Sequence, residues 1–298
     1  MKPAPFSYHD PRTVADAVGL LASLDNAKAL AGGQSLMPML NMRFVQPDHV
    51  IDLNRVEGLS HIRLGGGTLA VGAMTRQRDL EFHDDVRARC PLLHEALLQV
   101  GHRQTRNRGT LGGSLCHLDP AAELVTVAAA LDAVVEVAGP RGAREIPFAE
   151  FPVDFMMPAI ELGEIVTAVR FPLWREGHGS AFVEFARRHG DFAIVSAAAL
   201  LDIAEDGAIR RASVTIGGAA TVPLRMAEVE TMLVGQRVSE ALFREASERC
   251  STIEALDDAH VSSGYRRRLA VVLTRRALER ACGRAGHPIQ PAHAGVPA

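Results

Sequence analysis

Ala31-Gly32-Gly33-Gln34-Ser35, a glycine pair between a predicted strand end and a predicted helix start, is the stretch on which the fold turns. A second pair stands in Thr110-Leu111-Gly112-Gly113-Ser114. Glycine has no Cβ and tolerates positive φ, so consecutive amides can turn toward one anion. A helix start behind the pair adds unpaired N–H groups and a favourable dipole. Two such loops can converge on one pyrophosphate, with hydroxyls of Ser35, Thr110 and Ser114 beside the amides. Taken singly, each pair also fits an ordinary tight turn. Neither stretch contains GxGxxG, which weighs against a Rossmann domain, and no GxxxxGK[ST] occurs, which excludes a P-loop.

Working outward, the flanks of the first pair read as a small β-loop-α-β unit. Thr13 is placed to cap a helix carrying Val14, Val18 and Leu21 on one face. Lys28–Ala31 reads as a strand, Ser35–Leu40 as a helical turn and His49–Leu53 as a buried strand. Beyond it, Ile62-Arg63-Leu64 and Leu69-Ala70-Val71 flank a triple glycine, and strand-like residues on both sides predict a hairpin rather than a phosphate loop. Thr75 is expected to cap a helix, and another is predicted over Pro91–Val100. After the second glycine pair the pattern gives a helix over Ala121–Leu131, a hairpin turning at Gly139-Pro140-Arg141-Gly142 and a strand over Glu164–Phe171. The glycine-containing stretch Leu173–Ser180 predicts a boundary. Past it come three strands (Ala181–Phe185, Ile194–Ile203, Ile209–Gly217), then helices near Arg225–Val234, Ser239–Cys250 and Ser262–Cys282.

Composition bounds the function. The 298 residues are 47% hydrophobic, enough for a sizeable core and for two domains. A net charge of −3 gives no electrostatic case for nucleic acid or anionic membranes. No apolar run is long enough to span a bilayer, and none follows Lys2 as a secretory signal requires, so a cytoplasmic location is expected. Cys90, Cys116, Cys250 and Cys282 stand far apart without a CxxC pair, which argues against disulfides, iron–sulfur clusters and structural zinc within this chain. Redox chemistry here needs an organic cofactor or another subunit. No Ser-His-Asp order or HExxH motif appears.

AGGQSLMPMLNMRFVQPDHVIDLNRV (31–56) and RNRGTLGGSLCHLDPAAEL (106–124) resemble the FAD-binding medium subunit of molybdenum hydroxylases, the carbon monoxide dehydrogenase type, and more distantly the xanthine dehydrogenase flavin domain. GAMTRQRDLE (72–81) and RRHGDFAIVSAA (187–198) extend the likeness from Phe6 to about Cys282. The resemblance implies an α+β protein. A vanillyl-alcohol-oxidase-type FAD-binding fold of two α/β subdomains would cover 1–176, with subdomains of about 1–57 and 58–176. A C-terminal domain over 177–286, a three-stranded antiparallel sheet with a helical bundle, would follow, then a loose tail over 287–298.

Site residues carry over one by one. Ala31, Gly32, Gly33, Gln34, Ser35 and Leu36 match the first FAD loop, and Thr110, Gly112, Gly113 and Ser114 the second, with Leu111 packing near the ring or the adenine. Glu123 stands where the xanthine dehydrogenase domain has an aspartate bonded to the adenosine portion; a helix-start glutamate facing solvent is the plainer reading. Asp191 and Phe192 match a stretch close to the isoalloxazine, Phe192 being open to ring stacking or to an ordinary core role. Gln34 stands where some members carry His, and Ser114 where others carry Asp or Asn, which puts local tuning of the flavin in question. Arg103, Arg106 and Arg108 precede the second loop, to hold phosphate, face a partner or simply be solvated.

The function implied is electron relay through noncovalent FAD, with the molybdenum cofactor on a large partner and [2Fe–2S] clusters on a small one, as a dimer of heterotrimers. No catalytic residue or metal ligand is expected in this chain. A stand-alone flavin oxidoreductase and a non-catalytic nucleotide-binding module are the two alternatives.

Overall fold

Thr13 opens the first helix by accepting the Asp16 amide on its hydroxyl at 3.1 Å, as its position predicts. The chain is described here from a computed structural model over residues 1–289; the predicted tail beyond them lies outside the described residues. The N-terminal layer comprises β1 (Ser7–His9), α1 (Val14–Ser23), β2 (Ala27–Leu30), α2 (Leu36–Asn41) and β3 (His49–Asp52). Its strands run parallel in the order β1-β3-β2. Strand β1 escapes the sequence pattern because its three residues are largely solvent-facing and carry no apolar alternation. Ala17, Val18 and Leu21 of α1 share one apolar cluster with Ile51, Leu53, Leu59 and Met74.

A second sheet follows. Strands β4 (Ile62–Gly65) and β5 (Thr68–Gly72) form the expected hairpin, and Gly66 and Gly67 turn it at φ +57° and +74° with open space around both. Then come α3 (Gln77–Phe82), α4 (Asp84–Arg89), α5 (Pro91–Gln99), α6 (Arg103–Arg108), α7 (Leu111–His117) and α8 (Glu123–Ala130). Strands β6 (Val134–Gly139), β7 (Gly142–Pro147), β8 (Pro152–Asp154), β9 (Met157–Pro158) and β10 (Ile165–Pro172) complete this part. The sheet has the order β4-β5-β10-β6-β7, antiparallel throughout, while β8 and β9 pair apart from it. Thr75 does not cap α3; Arg76 holds that position, and the Thr75 hydroxyl instead bridges the amide and carbonyl of His61 at 3.1 and 3.0 Å. Leu80, Leu93, Leu97, Leu124 and Val127 bury against Val71, Val135 and Val169.

The C-terminal part carries β11 (Gly179–Phe185), β12 (Val195–Ile203), β13 (Ile209–Gly217) and β14 (Leu224–Arg225), then α9 (Ala227–Leu233), α10 (Glu240–Glu248) and α11 (Ser263–Arg284). The sheet is four-stranded, β11-β12-β13-β14, not three-stranded: the two residues of β14 are too few to show a period in sequence. Strand β12 is buried on both faces, which is why Val195–Leu201 reads as an unbroken run of small and apolar residues. Ala197, Ala199 and Leu201 join the cluster under α11, whereas Phe182, Ala198 and Leu200 join the core of the second sheet and its helices.

Polar ties fix this seam. Glu95 of α5 accepts Arg284 of α11 at 2.6 and 2.9 Å and the Phe182 amide of β11 at 2.9 Å. The Ser213 hydroxyl donates to Ala130 O at 2.7 Å and the Gly218 amide to Pro120 O at 2.7 Å. Glu95→Ala leaves the Phe182 amide and Arg284 without their acceptor, and is expected to destabilise the chain by about 1–3 kcal/mol. Thermal unfolding checks this.

Candidate functional site

The first glycine pair is a true loop. Gly33 takes φ +73°, and Ser35 starts α2 without a side-chain capping bond. The amides of Gly32, Gly33, Gln34 and Ser35 meet no hydrogen-bond acceptor among the described residues. Successive N–H groups left free at a turn into a helix form an anion-seeking concavity. The exposed Gln34 amide group lies 3.4 Å from Gly32 O.

The second pair differs from its expectation. Gly112 and Gly113 lie inside the first turn of α7, capped by Thr110, and their amides are already taken. The Gly113 amide donates to Thr110 Oγ1 at 3.1 Å, the Gly112 amide to Ala73 O at 2.9 Å and the Leu111 amide to Thr75 O at 3.1 Å. These glycines serve close approach instead. A Cβ on Gly112 would stand 2.6 Å from Ala73 Cβ, and one on Gly113 3.3 Å from Ala31 Cβ. From the other side, a Cβ on Gly32 would stand 2.2 Å from Arg108 O and 2.8 Å from Gly109 Cα. The two glycine stretches, more than seventy residues apart, therefore touch backbone to backbone.

A brace that sequence reasoning missed holds them together. Asn54 donates to Ala31 O at 2.9 Å and accepts from Arg76, whose other guanidinium nitrogen donates to Arg108 O. Asp52 fixes Asn54 by accepting its amide at 2.9 Å, and is itself held by the Tyr8 hydroxyl at 2.6 Å. Burial first, and then the charge of Arg108, hold Arg76 below the usual guanidinium value. The signal lay in Asp52-Leu53-Asn54 and Thr75-Arg76, inside stretches that carry the resemblance, yet neither pattern alone points to a contact.

The remaining candidates separate. Arg106 is buried, bonded to Glu81 at 2.9 Å and to Val100 O at 2.9 Å, so it supports the loop from beneath; Arg103 and Arg108 are exposed. Leu111 is fully buried in the core. Glu123 is not a solvent-facing cap residue: it is 5% exposed, and burial, then Glu184 and Asp119, push its carboxyl up to about 8. Burial likewise pushes Glu184 up to about 7, with Oε2 buried and unpartnered. Glu184 pairs with Ser196 and Ser196 with Gly217 across the sheet, and the Ser196 hydroxyl meets Thr126 of α8 at 3.5 Å. Phe192 is 64% exposed, so it is no core aromatic. Its loop lies on the segment leading to the second glycine pair, with the His189 and His102 rings stacked at 6.4 Å. Burial pushes the Cys90 and Cys116 thiols up to about 12, leaving them protonated. Among the described residues no cluster of side chains suits a metal.

Residues 4–174 match the family model described as the FAD binding domain in molybdopterin dehydrogenase, and residues 180–281 match that of the CO dehydrogenase flavoprotein C-terminal domain. Together these define a two-part flavoprotein subunit. The chain belongs to the family of FAD-binding medium subunits of the molybdenum hydroxylases. It is 40% identical over 96% of its length to subunit alpha of the 6-hydroxypseudooxynicotine dehydrogenase complex of Paenarthrobacter nicotinovorans, covering 97% of that protein. It is 36% identical to the carbon monoxide dehydrogenase medium chain of Afipia carboxidovorans, over 96% of this chain and 99% of that one. A crystal structure of Cu,Mo-CO dehydrogenase superposes with a TM-score of 0.92 at 35% identity, over 95% of this chain and 100% of that one.

Two outcomes are expected. Gly32→Ala places a methyl group against Arg108 O and should cost about 1–3 kcal/mol by overpacking or part the two stretches; hydrogen exchange should then quicken over 31–36 and 108–114. The Glu123 and Glu184 carboxyls have folded-state values above their unfolded ones. Their contribution is therefore full below the ordinary carboxylate range and lost as pH rises through about 7 and about 8. Thermal unfolding followed against pH should show that loss, and Glu123→Gln with Glu184→Gln should flatten it.

Proposed function

We propose that this chain holds FAD noncovalently at the junction of its two glycine stretches and relays electrons within a heteromeric molybdenum hydroxylase. The observation that carries the site assignment is the row of acceptor-free amides from Gly32 to Ser35, braced against Arg108–Thr110. Ala31, Gly32, Gly33, Gln34, Ser35 and Leu36 hold the pyrophosphate, and the partly buried Arg76 and exposed Arg108 keep that corner electropositive. Thr110, Leu111, Gly112 and Gly113 act by letting α7 approach, and Ser114 adds a hydroxyl. Glu123, kept protonated by burial, both donates to and accepts from a cofactor hydroxyl. Asp191 and the exposed Phe192 lie along the flavin ring.

When bound, FAD accepts electrons singly and passes them on in pairs. The protein needs to supply position and electrostatics for this, not an acid or a base. Its partners are a large subunit with the molybdenum cofactor and a small subunit with [2Fe–2S] clusters, assembled in the cytoplasm as a dimer of heterotrimers. The domain division at 173–180 separates FAD binding from the C-terminal part. The relatives' complexes act on carbon monoxide and on 6-hydroxypseudooxynicotine, although their FAD subunits are both 36–40% identical to this chain. That supports placing the substrate pocket in another subunit.

Purified chain should release FAD and not FMN on denaturation, read by chromatography, and Gly32→Asp should lose it. In the assembled complex, reducing substrate should bleach the oxidised flavin band in stopped flow, whereas the chain alone should show no bleaching. FMN in place of FAD, or reduction of the lone chain at a comparable rate, refutes the relay.

A further inference from the structure

Arg76 stands between the two glycine stretches, and its charge has no partner there. Its backbone pairs with Thr110 in an isolated antiparallel bridge, and the Leu111 amide donates to Thr75 O at 3.1 Å, so its starting point is fixed against the second stretch. Its guanidinium then spans the junction. One terminal nitrogen donates to Arg108 O and the other to Asn54 Oδ1, while Asn54 holds Ala31 O at 2.9 Å. Both acceptors are neutral, and the guanidinium has further N–H donors to spend. No carboxylate comes within ion-pair distance of Arg76 among the described residues. Asp52, which attracts it from further off, is taken by the Tyr8 hydroxyl at 2.6 Å and the Asn54 amide at 2.9 Å. This sets Arg76 apart from the other arginines of residues 1–176 that are not exposed. Arg78 and Arg106 meet Glu81 at 2.9 Å, Arg144 meets Glu164 at 2.7 Å and Arg170 meets Glu145 at 2.6 Å. Burial, then the charge of Arg108, hold Arg76 below the ordinary guanidinium value, whereas Arg144 and Arg170 are held above it, first by Glu164 and Glu145.

A half-buried cation beside a second cation is a cost that an anion offsets. The same corner holds the acceptor-free amides of Gly32–Ser35, and Gly32 packs on the very Arg108 O that Arg76 holds, a Cβ there standing 2.2 Å from it. We propose that Arg76 is the residue that makes this corner select a diphosphate. Its charge is completed by the two phosphates of the cofactor, and its bonds to Arg108 O and Asn54 tie that charge to the closing of the two stretches. The assignment rests on the FAD reading above and adds to it the residue that sets the preference for a diphosphate over an uncharged flavin. Riboflavin, with no phosphate, gains nothing from Arg76; AMP gains part, and FAD and ADP gain the whole.

The test titrates the full chain, freed of its FAD, with FAD, ADP, AMP and riboflavin, and reads binding by calorimetry. The wild type should bind ADP about tenfold or more tighter than AMP. Its affinity for FAD should fall as salt is raised, while that for riboflavin stays level. Arg76→Gln keeps a hydrogen-bonding side chain without the charge. It should weaken FAD and ADP by about tenfold or more, bring ADP and AMP together, and leave riboflavin close to its wild-type affinity. Arg76→Lys should recover most of the preference for ADP, because the charge is kept. Equal weakening of FAD and riboflavin in Arg76→Gln overturns the proposal, since a merely structural brace would act on both alike. An ADP-to-AMP ratio that Arg76→Gln leaves unchanged overturns it too. If Arg76→Gln does not fold, the wild type and Arg76→Lys decide: no preference for ADP in the wild type, or an FAD affinity indifferent to salt, overturns the assignment, and a preference kept in Arg76→Lys supports it. A wild-type chain that binds no FAD overturns the FAD site itself; one that binds FAD, with a diphosphate preference indifferent to Arg76→Gln, overturns the role of Arg76 alone.

Discussion

The approach of Gly32 to the backbone of Arg108 and Gly109 is the contact on which the rest of the site depends. At that point the loop after β2 and the segment before α7 meet with no room for a single methyl group. The contact joins a parallel three-stranded layer to an antiparallel five-stranded one, beside an apolar cluster in which α1 packs with Met74 and with Ile165 of β10. It is held by carbonyl oxygens, Ala31 O and Arg108 O, reached from one side by Asn54 and Arg76. Using backbone acceptors in this way leaves the amides of Gly32–Ser35 unspent: the brace takes Ala31 O while the N–H end of the same peptide unit stays free.

The two glycine pairs solve different problems with the same residue. Gly33 is needed for its positive φ, while Gly112 and Gly113 sit in regular helix and are needed for their lack of volume. One stretch keeps its donors free and the other permits close approach. The helix that follows, α8, extends this economy to the C-terminal part. Its apolar residues enter the core of the second sheet, while Glu123 and Thr126 meet the Glu184–Ser196 row of the C-terminal sheet. Two buried carboxyls without a cation remain neutral more cheaply than charged. The seam thus joins the two parts through a polar end at Glu123 and Thr126 and an apolar middle beneath α8.

Burial holds the thiols of all four cysteines above their ordinary value, Cys90, Cys250 and Cys282 being buried and Cys116 half-buried. A subunit built this way fits complexes with different substrates, because what it must preserve is a cofactor geometry and a surface for its partners. The relatives show the same length of chain retained in complexes of different specificity.

The amino-acid sequence by itself determined the family and many of the elements. Period and capping placed α1, the Gly66–Gly67 hairpin, the long C-terminal helix and the buried run of β12, because these features are local or are repeated along one segment. The glycine pairs, read together and in order, pointed to one ligand. The tertiary structure decided which glycine amides are spent and which stay free, since that depends on what stands opposite: Ala73, Thr75 and Arg108, not neighbours in the chain. It also decided that Arg106 is a buried support while Arg103 and Arg108 are exposed, although all three lie on one short helix. The brace through Asn54 and Arg76 and the nearness of Glu123 to Glu184 were equally out of reach. Each joins residues separated by tens of positions, and a polar side chain carries no periodic signal of the partner that will satisfy it.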